Sequence, residues 1–137
     1  MESKFLIITF GTWFLFMVLA IINAIIREAM YTSFLNELRA HQLSTFTLMT
    51  IFFIGTLLIL RFSGLNLTGQ EAIMMGTIWA IMTICFEFLA GHYAFGNSWE
   101  HLIADYNILK GRIWMFIPIT TFVSPYLANK IIQTIYT

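Results

Sequence analysis

Charged side chains are scarce in this sequence. Lys, Arg, Asp and Glu together make up 10% of the 137 residues, whereas apolar residues make up 59%. A soluble domain carries roughly 25% charged residues to cover its surface. Seven basic residues balance seven acidic ones, so no basic excess indicates nucleic-acid binding. The mean hydropathy is +0.82, and we therefore predict an integral membrane protein whose first partner is the lipid bilayer.

Cysteine is almost absent as well. Cys85 is the one cysteine, so no disulfide, zinc or iron–sulfur framework can be built from cysteines within one chain. The N-terminal apolar run, residues 5–26, is far longer than the roughly 7–15 residues of a signal-peptide core. We expect this run to be retained as a helix.

Four apolar segments are long enough to cross a membrane, which takes about 20 residues in a helix. They run from Phe5 to Ile26, from about Leu43 to Phe62, from about Ala72 to His92, and from about Ile113 to Ile132. We predict an all-α membrane protein with four transmembrane helices, which form a single domain over residues 1–137.

The connections at 27–42 and 95–110 have an amphipathic pattern. Their apolar positions at helical spacing are Met30, Phe34, Leu35 and Leu38 in the first and Trp99, Leu102, Ile103 and Tyr106 in the second. We predict two short interfacial amphipathic helices, one after helix 1 and one after helix 3, with Ser98 as the N-cap of the second. The order helix, interfacial helix, helix then occurs over 5–62 and again over 72–132, which raises the hypothesis of a pseudo-repeat.

Four spans would place both termini on one side of the membrane and both interfacial helices on the other. Basic residues are spread over both sides, so the positive-inside rule separates the two orientations only weakly. We expect the termini in the cytoplasm, because this orientation spares the first helix from translocating its N-terminus.

Glu87 lies inside the third predicted span, and His92 lies at its end. An ionisable group at that depth costs roughly 2.5 kcal/mol or more unless it is paired or faces a wet cavity, so Glu87 is a candidate functional residue. Ala72, Gly76 and Ala80 follow one another at four-residue spacing on the same helix. Small residues in such a row let another helix approach closely, and we predict that this face is one candidate seam of a homo-oligomer.

Every predicted helix contributes polar residues to the same layer as Glu87. The candidate binding or network residues of this layer are Glu87, His92, Arg27, His41, Asn23, Asp105 and Arg112. One interpretation is a structural ion-pair network, in which the two arginines neutralise the two carboxylates and lock the bundle. The other is a hydrated pocket in which Glu87 binds a proton or a cation, and in which the histidines titrate near neutral pH.

Metal, haem and catalytic sites have less support. Glu87 and His92 are five residues apart, which does not put both on one helix face, so a metal site would need His41 from another helix; haem between His41 and His92 has no other supporting signal. The sequence has no glycine-rich phosphate loop and no His-Glu-x-x-His motif. His101 and Asp105, four residues apart, are typical of a plain i,i+4 pair. We predict no cofactor and no metal, and we assign no catalytic residue.

Four strings carry a resemblance to a known group of proteins: Ile22–Glu28, Ala40–Ser44, Phe86–His92 and Ala104–Trp114. Together they resemble small, uncharacterised four-helix membrane proteins of bacteria and archaea, and the resemblance spans most of the chain. It implies the four-helix topology and a prokaryotic inner membrane. It implies no particular chemistry.

Three classes of function fit these observations. The favoured one is a small transporter or channel for protons, cations or a small solute, which uses the polar layer around Glu87. The alternative is a non-catalytic structural or accessory membrane subunit, in which that layer only holds helices together. The third is a membrane-embedded enzyme that acts on an amphiphile through His92, His41 or His101. A cavity enclosed by the polar layer would favour transport or chemistry over a structural role.

Overall fold

The computed structural model describes residues 3–136, and all regular structure in this range is helical, which confirms the predicted all-α class. The α-helices of the described range are α1 (Ser3–Ala29), α2 (Glu37–Phe62), α3 (Gly69–Leu89), α4 (Trp99–Ala104) and α5 (Phe116–Tyr136). Short 3-10 turns lie at Tyr31–Ser33 and Ile108–Lys110, and one π-helical turn, Ala90–Ala94, continues α3.

Three segments are long and apolar enough to cross a membrane: Ser3–Ser33, Glu37–Phe62 and Gly69–Ala94. These segments contain the first three predicted spans. Helix α5, which corresponds to the fourth, is not among them within residues 3–136. Its buried face carries polar residues that lower its hydropathy, namely Thr120, Thr121, Ser124 and Asn129. The fourth span therefore stays a prediction.

The prediction of an interfacial helix after helix 1 is wrong. In residues 27–42, all of which the structure describes, α1 runs into a single 3-10 turn and α2 already begins at Glu37. Asn36 explains the early start, because its side chain accepts a hydrogen bond from the backbone N–H of Arg39 at 2.8 Å. An Asn N-cap satisfies a backbone donor that would otherwise be unpaired in the first turn. The residues from 37 to 42 are therefore the first part of α2 and do not form a separate helix.

A short helix after helix 3 is present as predicted, namely α4, although it spans only Trp99–Ala104; its place at the membrane interface stays a prediction. Ser98 caps it as predicted and accepts a hydrogen bond from the backbone N–H of His101 at 3.1 Å. The buried residue of α4 is Leu102. A Cβ atom at position 91 would lie 2.7 Å from Leu102 Cδ2, so Gly91 in the π-helical turn leaves the space in which α4 packs.

The four long helices pack as a bundle. Helix α5 lies against both α2 and α3, whereas α1 lies against α2 and contacts α3 less extensively. At Gly76 an added Cβ atom would lie 2.0 Å from the backbone oxygen of Phe122, so α3 and α5 are in backbone contact there. The small-residue face of α3 therefore admits α5 of the same chain at Gly76, and a homo-oligomer seam through this point would have to displace α5.

Hydrogen bonds from two tryptophans tie α1 to α3 over the N-terminal half of α1. Trp79 Nε1 donates to the backbone oxygen of Thr9 at 2.8 Å, and Trp13 Nε1 donates to Thr83 Oγ1 at 3.2 Å. Phe16 packs edge-on against Trp79 with a centroid separation of 5.3 Å. Beyond this contact a cavity lies between the two helices, and this cavity is the candidate site.

Candidate functional site

A cavity of about 690 Å³ lies between α1 and α3 at the end of the bundle that α4 covers. Ala20 and Ala24 of α1 line it with small side chains, and Ala90 and Gly91 do the same from the π-helical turn. Most of the remaining wall is apolar and includes Met17, Leu48, Phe52, Phe86, Leu102 and Ile117. Ligand pockets in proteins typically measure roughly 300–1,000 Å³, so this cavity has the size of a small-molecule site.

Glu87 reaches the cavity from the last turn of α3, and the hydroxyl of Tyr106 donates a hydrogen bond to its Oε2. Tyr106 follows α4 in the chain, and its ring stacks on Phe88 with a centroid separation of 5.7 Å. Burial raises the pKa of Tyr106 well above its usual range, and the adjacent charge and hydrogen bond of Glu87 act in the same direction. Tyr106 is therefore a permanent neutral donor to this carboxylate.

The arginines pair with carboxylates other than Glu87. Both side-chain nitrogens of the Arg112 fork donate to Glu37, at 2.8 and 2.6 Å. Arg27 Nε donates to Glu28 at 3.2 Å. Within residues 3–136, no Lys or Arg forms an ion pair with Glu87. The interpretation in which an arginine neutralises Glu87 is therefore wrong.

Asp105 lines the same cavity from the end of α4. His101 Nε2 lies 4.0 Å from Asp105 Oδ2, which confirms the predicted i,i+4 pair. Burial raises the pKa of Asp105, and the nearby charges of His101 and Arg112 lower it in part. In the described part of the chain, no Lys or Arg forms an ion pair with this carboxylate either.

His41 lines the cavity from α2, and its exposed fraction is only 7%. Its Nδ1 atom is buried and has no hydrogen-bond partner among residues 3–136. The Trp114 ring lies next to it, with a centroid separation of 5.0 Å. An unsatisfied buried polar atom costs about 1–3 kcal/mol, and such exceptions in a native structure call for an explanation such as a functional role.

Asn23 and Arg27 both connect α1 to α2 through Ser44. Asn23 Nδ2 donates to the backbone oxygen of Ser44 at 3.1 Å, and Arg27 Nη1 donates to its Oγ at 3.2 Å. Asn23 is buried in this contact, whereas Arg27 also lines the cavity. Asn23 thus holds the cavity wall in place, and Arg27 combines that role with a position at the site.

His92 does not line the cavity. Its Nδ1 atom hydrogen-bonds to the backbone oxygen of Asn97 at 2.8 Å, and its ring stacks on Trp99 with a centroid separation of 3.8 Å. This arrangement fixes the turn between the π-helical segment and α4. Among the predicted site residues, the structure brings Glu87, His41, Asp105 and Arg27 to the cavity and leaves His92, Asn23 and Arg112 outside it.

Tyr106 and Trp114 belong to the site but are absent from the predicted set. Both lie beside Glu87 and Asp105 in a small second cavity of about 30 Å³, which is large enough for a single water molecule. A buried carboxylate requires a hydrogen-bond donor. The sequence signal that could have identified these two residues is their O–H and N–H groups, which lie in the short segment between α3 and α5.

The site offers recognition chemistry more than metal chemistry. In residues 3–136, no three His, Cys, Asp or Glu side chains converge as they would around a metal ion. Two carboxylates, an imidazole, a phenol and an indole lie instead at one end of an apolar cavity, which suits a small molecule with one polar end. Comparisons with protein-family models, with curated proteins and with solved structures find no match to this chain.

Proposed function

We propose that the protein is an integral protein of a prokaryotic inner membrane with four transmembrane helices, α5 being the fourth, and with both termini in the cytoplasm. Three buried polar side chains of α5 support this topology, because each has a hydrogen-bond partner within the protein. Thr121 donates to the backbone oxygen of Pro118, Ser124 to that of Thr120, and Asn129 to that of Leu67. A helix with satisfied polar groups that faces other helices is tolerated inside a bilayer.

We further propose that the protein binds a small solute in the cavity between α1 and α3 and transports it across the membrane, with Glu87 as the binding carboxylate. The cavity of about 690 Å³ that ends on Glu87 carries this proposal. A layer that served only to hold helices together would pair its charges, whereas Glu87 receives a neutral donor, Tyr106, and both arginines are bound elsewhere. No Lys or Arg of residues 3–136 is paired with the Glu87 carboxyl group, which leaves this group available to a solute.

Transport is tested by solid-supported membrane electrophysiology on proteoliposomes, with concentration jumps of protons, sodium, potassium and small organic cations. We expect wild-type protein to give a transient current with at least one of these ions, and Glu87→Gln to lose it. The variant should still fold, because the amide oxygen of glutamine also accepts the hydrogen bond of Tyr106.

Glu71→Gln is the matched control. Glu71 lies at the opposite end of α3, where it forms a capping box with Thr68, and glutamine performs the same capping. This variant should keep the wild-type current. If wild-type proteoliposomes give no current above that of empty liposomes with any of these ions, the transport proposal fails.

A further inference from the structure

Acidic groups dominate the ionisable residues that line the large cavity. The acidic residues are Glu28, Glu87 and Asp105, whereas Arg27 is the one Lys or Arg residue in the described lining. Arg27 is already bound by Glu28 and by Ser44 Oγ, at 3.2 Å each. The carboxylates of Glu87 and Asp105 therefore face the cavity without a guanidinium or ammonium partner in the described part of the chain.

His41 provides an independent sign of a ligand at the same end. More than nine-tenths of this residue is buried, it lines the cavity, and its Nδ1 has no partner among residues 3–136. In the tautomer that carries its proton on Nε2, Nδ1 is an acceptor. Together with two carboxylates it forms an end rich in acceptors, which suits a ligand group that carries N–H donors and positive charge. The adjacent Trp114 ring adds a surface that attracts cations.

The rest of the cavity wall is mainly apolar. Met17, Leu48, Phe52 and Phe86 form an apolar wall that excludes a fully hydrated ion and accommodates a hydrocarbon body. Burial of such a body contributes roughly 25 cal/mol for each Å² of apolar surface.

Exposed apolar side chains line the cavity beside the exposed carboxylate of Glu28, which Arg27 binds. Ile25 of α1 is 61% exposed, and Phe95, just after the π-helical turn, is 63% exposed. A molecule dissolved in the bilayer would meet these side chains first and could enter between α1 and α3 from the side.

We infer that the cavity binds an amphiphilic organic cation, with its ammonium group at Glu87, Asp105 and His41 and its apolar body between α1 and α3. This inference rests on the proposed solute site but requires no transport. The ammonium can belong to a free amphiphilic amine or to the headgroup of a membrane lipid, because the recognition chemistry is the same for both.

Equilibrium binding to the full-length protein in phosphatidylcholine nanodiscs tests the inference with three probes: decylammonium, decanol and decanoate. The probes share one alkyl chain and differ in head-group charge, and empty nanodiscs correct for partition into lipid. We expect decylammonium to bind about 10-fold or more tightly than decanol, which is the value of a charge-assisted hydrogen bond, and decanoate to bind no better than to empty nanodiscs. Glu87→Gln should remove the preference for decylammonium, whereas Glu71→Gln should keep it.

Nanodiscs that contain phosphatidylethanolamine distinguish the two sources. Displacement of decylammonium by this lipid would identify the headgroup of a lipid as the ligand, and unchanged binding would identify a free amine; both results support the cation site. If decanol or decanoate binds as tightly as decylammonium to wild-type protein, the inference is overturned, while the proposed transport of a solute stands. If no probe binds above empty nanodiscs, the inference also fails, and the flux currents alone decide the proposed function.

Discussion

Replacement of Gly76 by alanine tests the packing on which the bundle depends. The added Cβ atom would lie 2.0 Å from the backbone oxygen of Phe122 and 2.9 Å from its carbonyl carbon. A carbon and a carbonyl oxygen approach to about 3.3 Å at closest, so α3 and α5 would have to separate by roughly 1 Å. No side-chain rotation relieves this contact, because both atoms belong to the backbone. Overpacking typically costs about 1–3 kcal/mol, and a contact of 2.0 Å between backbone atoms belongs at the upper end of this range. Alanine regains about 1 kcal/mol of helix propensity, so we expect a net loss of about 2 kcal/mol.

Gly11→Ala is the matched control, because Gly11 also lies within a long helix and an added Cβ atom there meets nothing within 4 Å. This variant should be as stable as wild type or more stable, by up to about 1 kcal/mol. Unfolding in mild detergent, followed by circular dichroism and tryptophan fluorescence, measures both variants. If Gly76→Ala unfolds at the same midpoint as Gly11→Ala, the backbone contact between α3 and α5 is not a feature of the folded protein.

Three further predictions concern the groups around the cavity. Tyr106→Phe leaves Glu87 without its phenolic donor and should lower the free energy of unfolding by about 1–3 kcal/mol; an unchanged thermal midpoint would contradict this contribution. Burial raises the pKa of Asp105, so the folded state holds the proton to higher pH than the unfolded chain does, and stability falls as pH rises through that interval. Asp105→Asn should therefore be more stable than wild type at neutral pH and lose this advantage below the ordinary pKa of 3.8. Thermal scans at both pH values measure the difference; if the stability gain of the variant persists in acid, ionisation of Asp105 is not the cause of the gain. The partly exposed pair of Arg112 with Glu37 should show a coupling energy of up to about 1 kcal/mol in a double-mutant cycle, and this value should fall as salt rises from about 0.1 to 1 M; a coupling that is insensitive to salt would refute its assignment as a surface ion pair.

The long helices were predictable because an apolar run of this length has few other structures available. The structure of the connection after α1 was not predictable from the sequence. The spacing of Met30, Phe34 and Leu38 is the same whether the segment forms a separate helix or belongs to the ends of two long helices. The decisive contact is local and polar: Asn36 accepts the Arg39 N–H and starts α2 early. Hydrophobic periodicity does not report such a capping choice.

Glu87 was predictable as a site residue, since a carboxylate is costly at membrane depth. Its partner was not, because Tyr106 lies in a loop and no helical spacing relates the two positions. The arginines prefer Glu28 and Glu37, whose side chains are largely exposed. An ion pair that remains partly hydrated avoids the desolvation penalty that a fully buried pair with Glu87 would carry.

The π-helical turn at Ala90–Ala94 makes the position of α4 depend on residue count. Such a turn contains one residue more than an α-helical turn, and one residue corresponds to a rotation of about 100° around the helix axis. Deletion of a single residue there would restore regular α-helical register and swing α4 around the axis, so that Leu102 would no longer meet Gly91. Insertions and deletions in this segment would therefore reshape the roof of the cavity while every wall residue of α1 and α2 kept its identity. Length variation at this one turn would therefore change the shape of the proposed site without changing the residues of its walls.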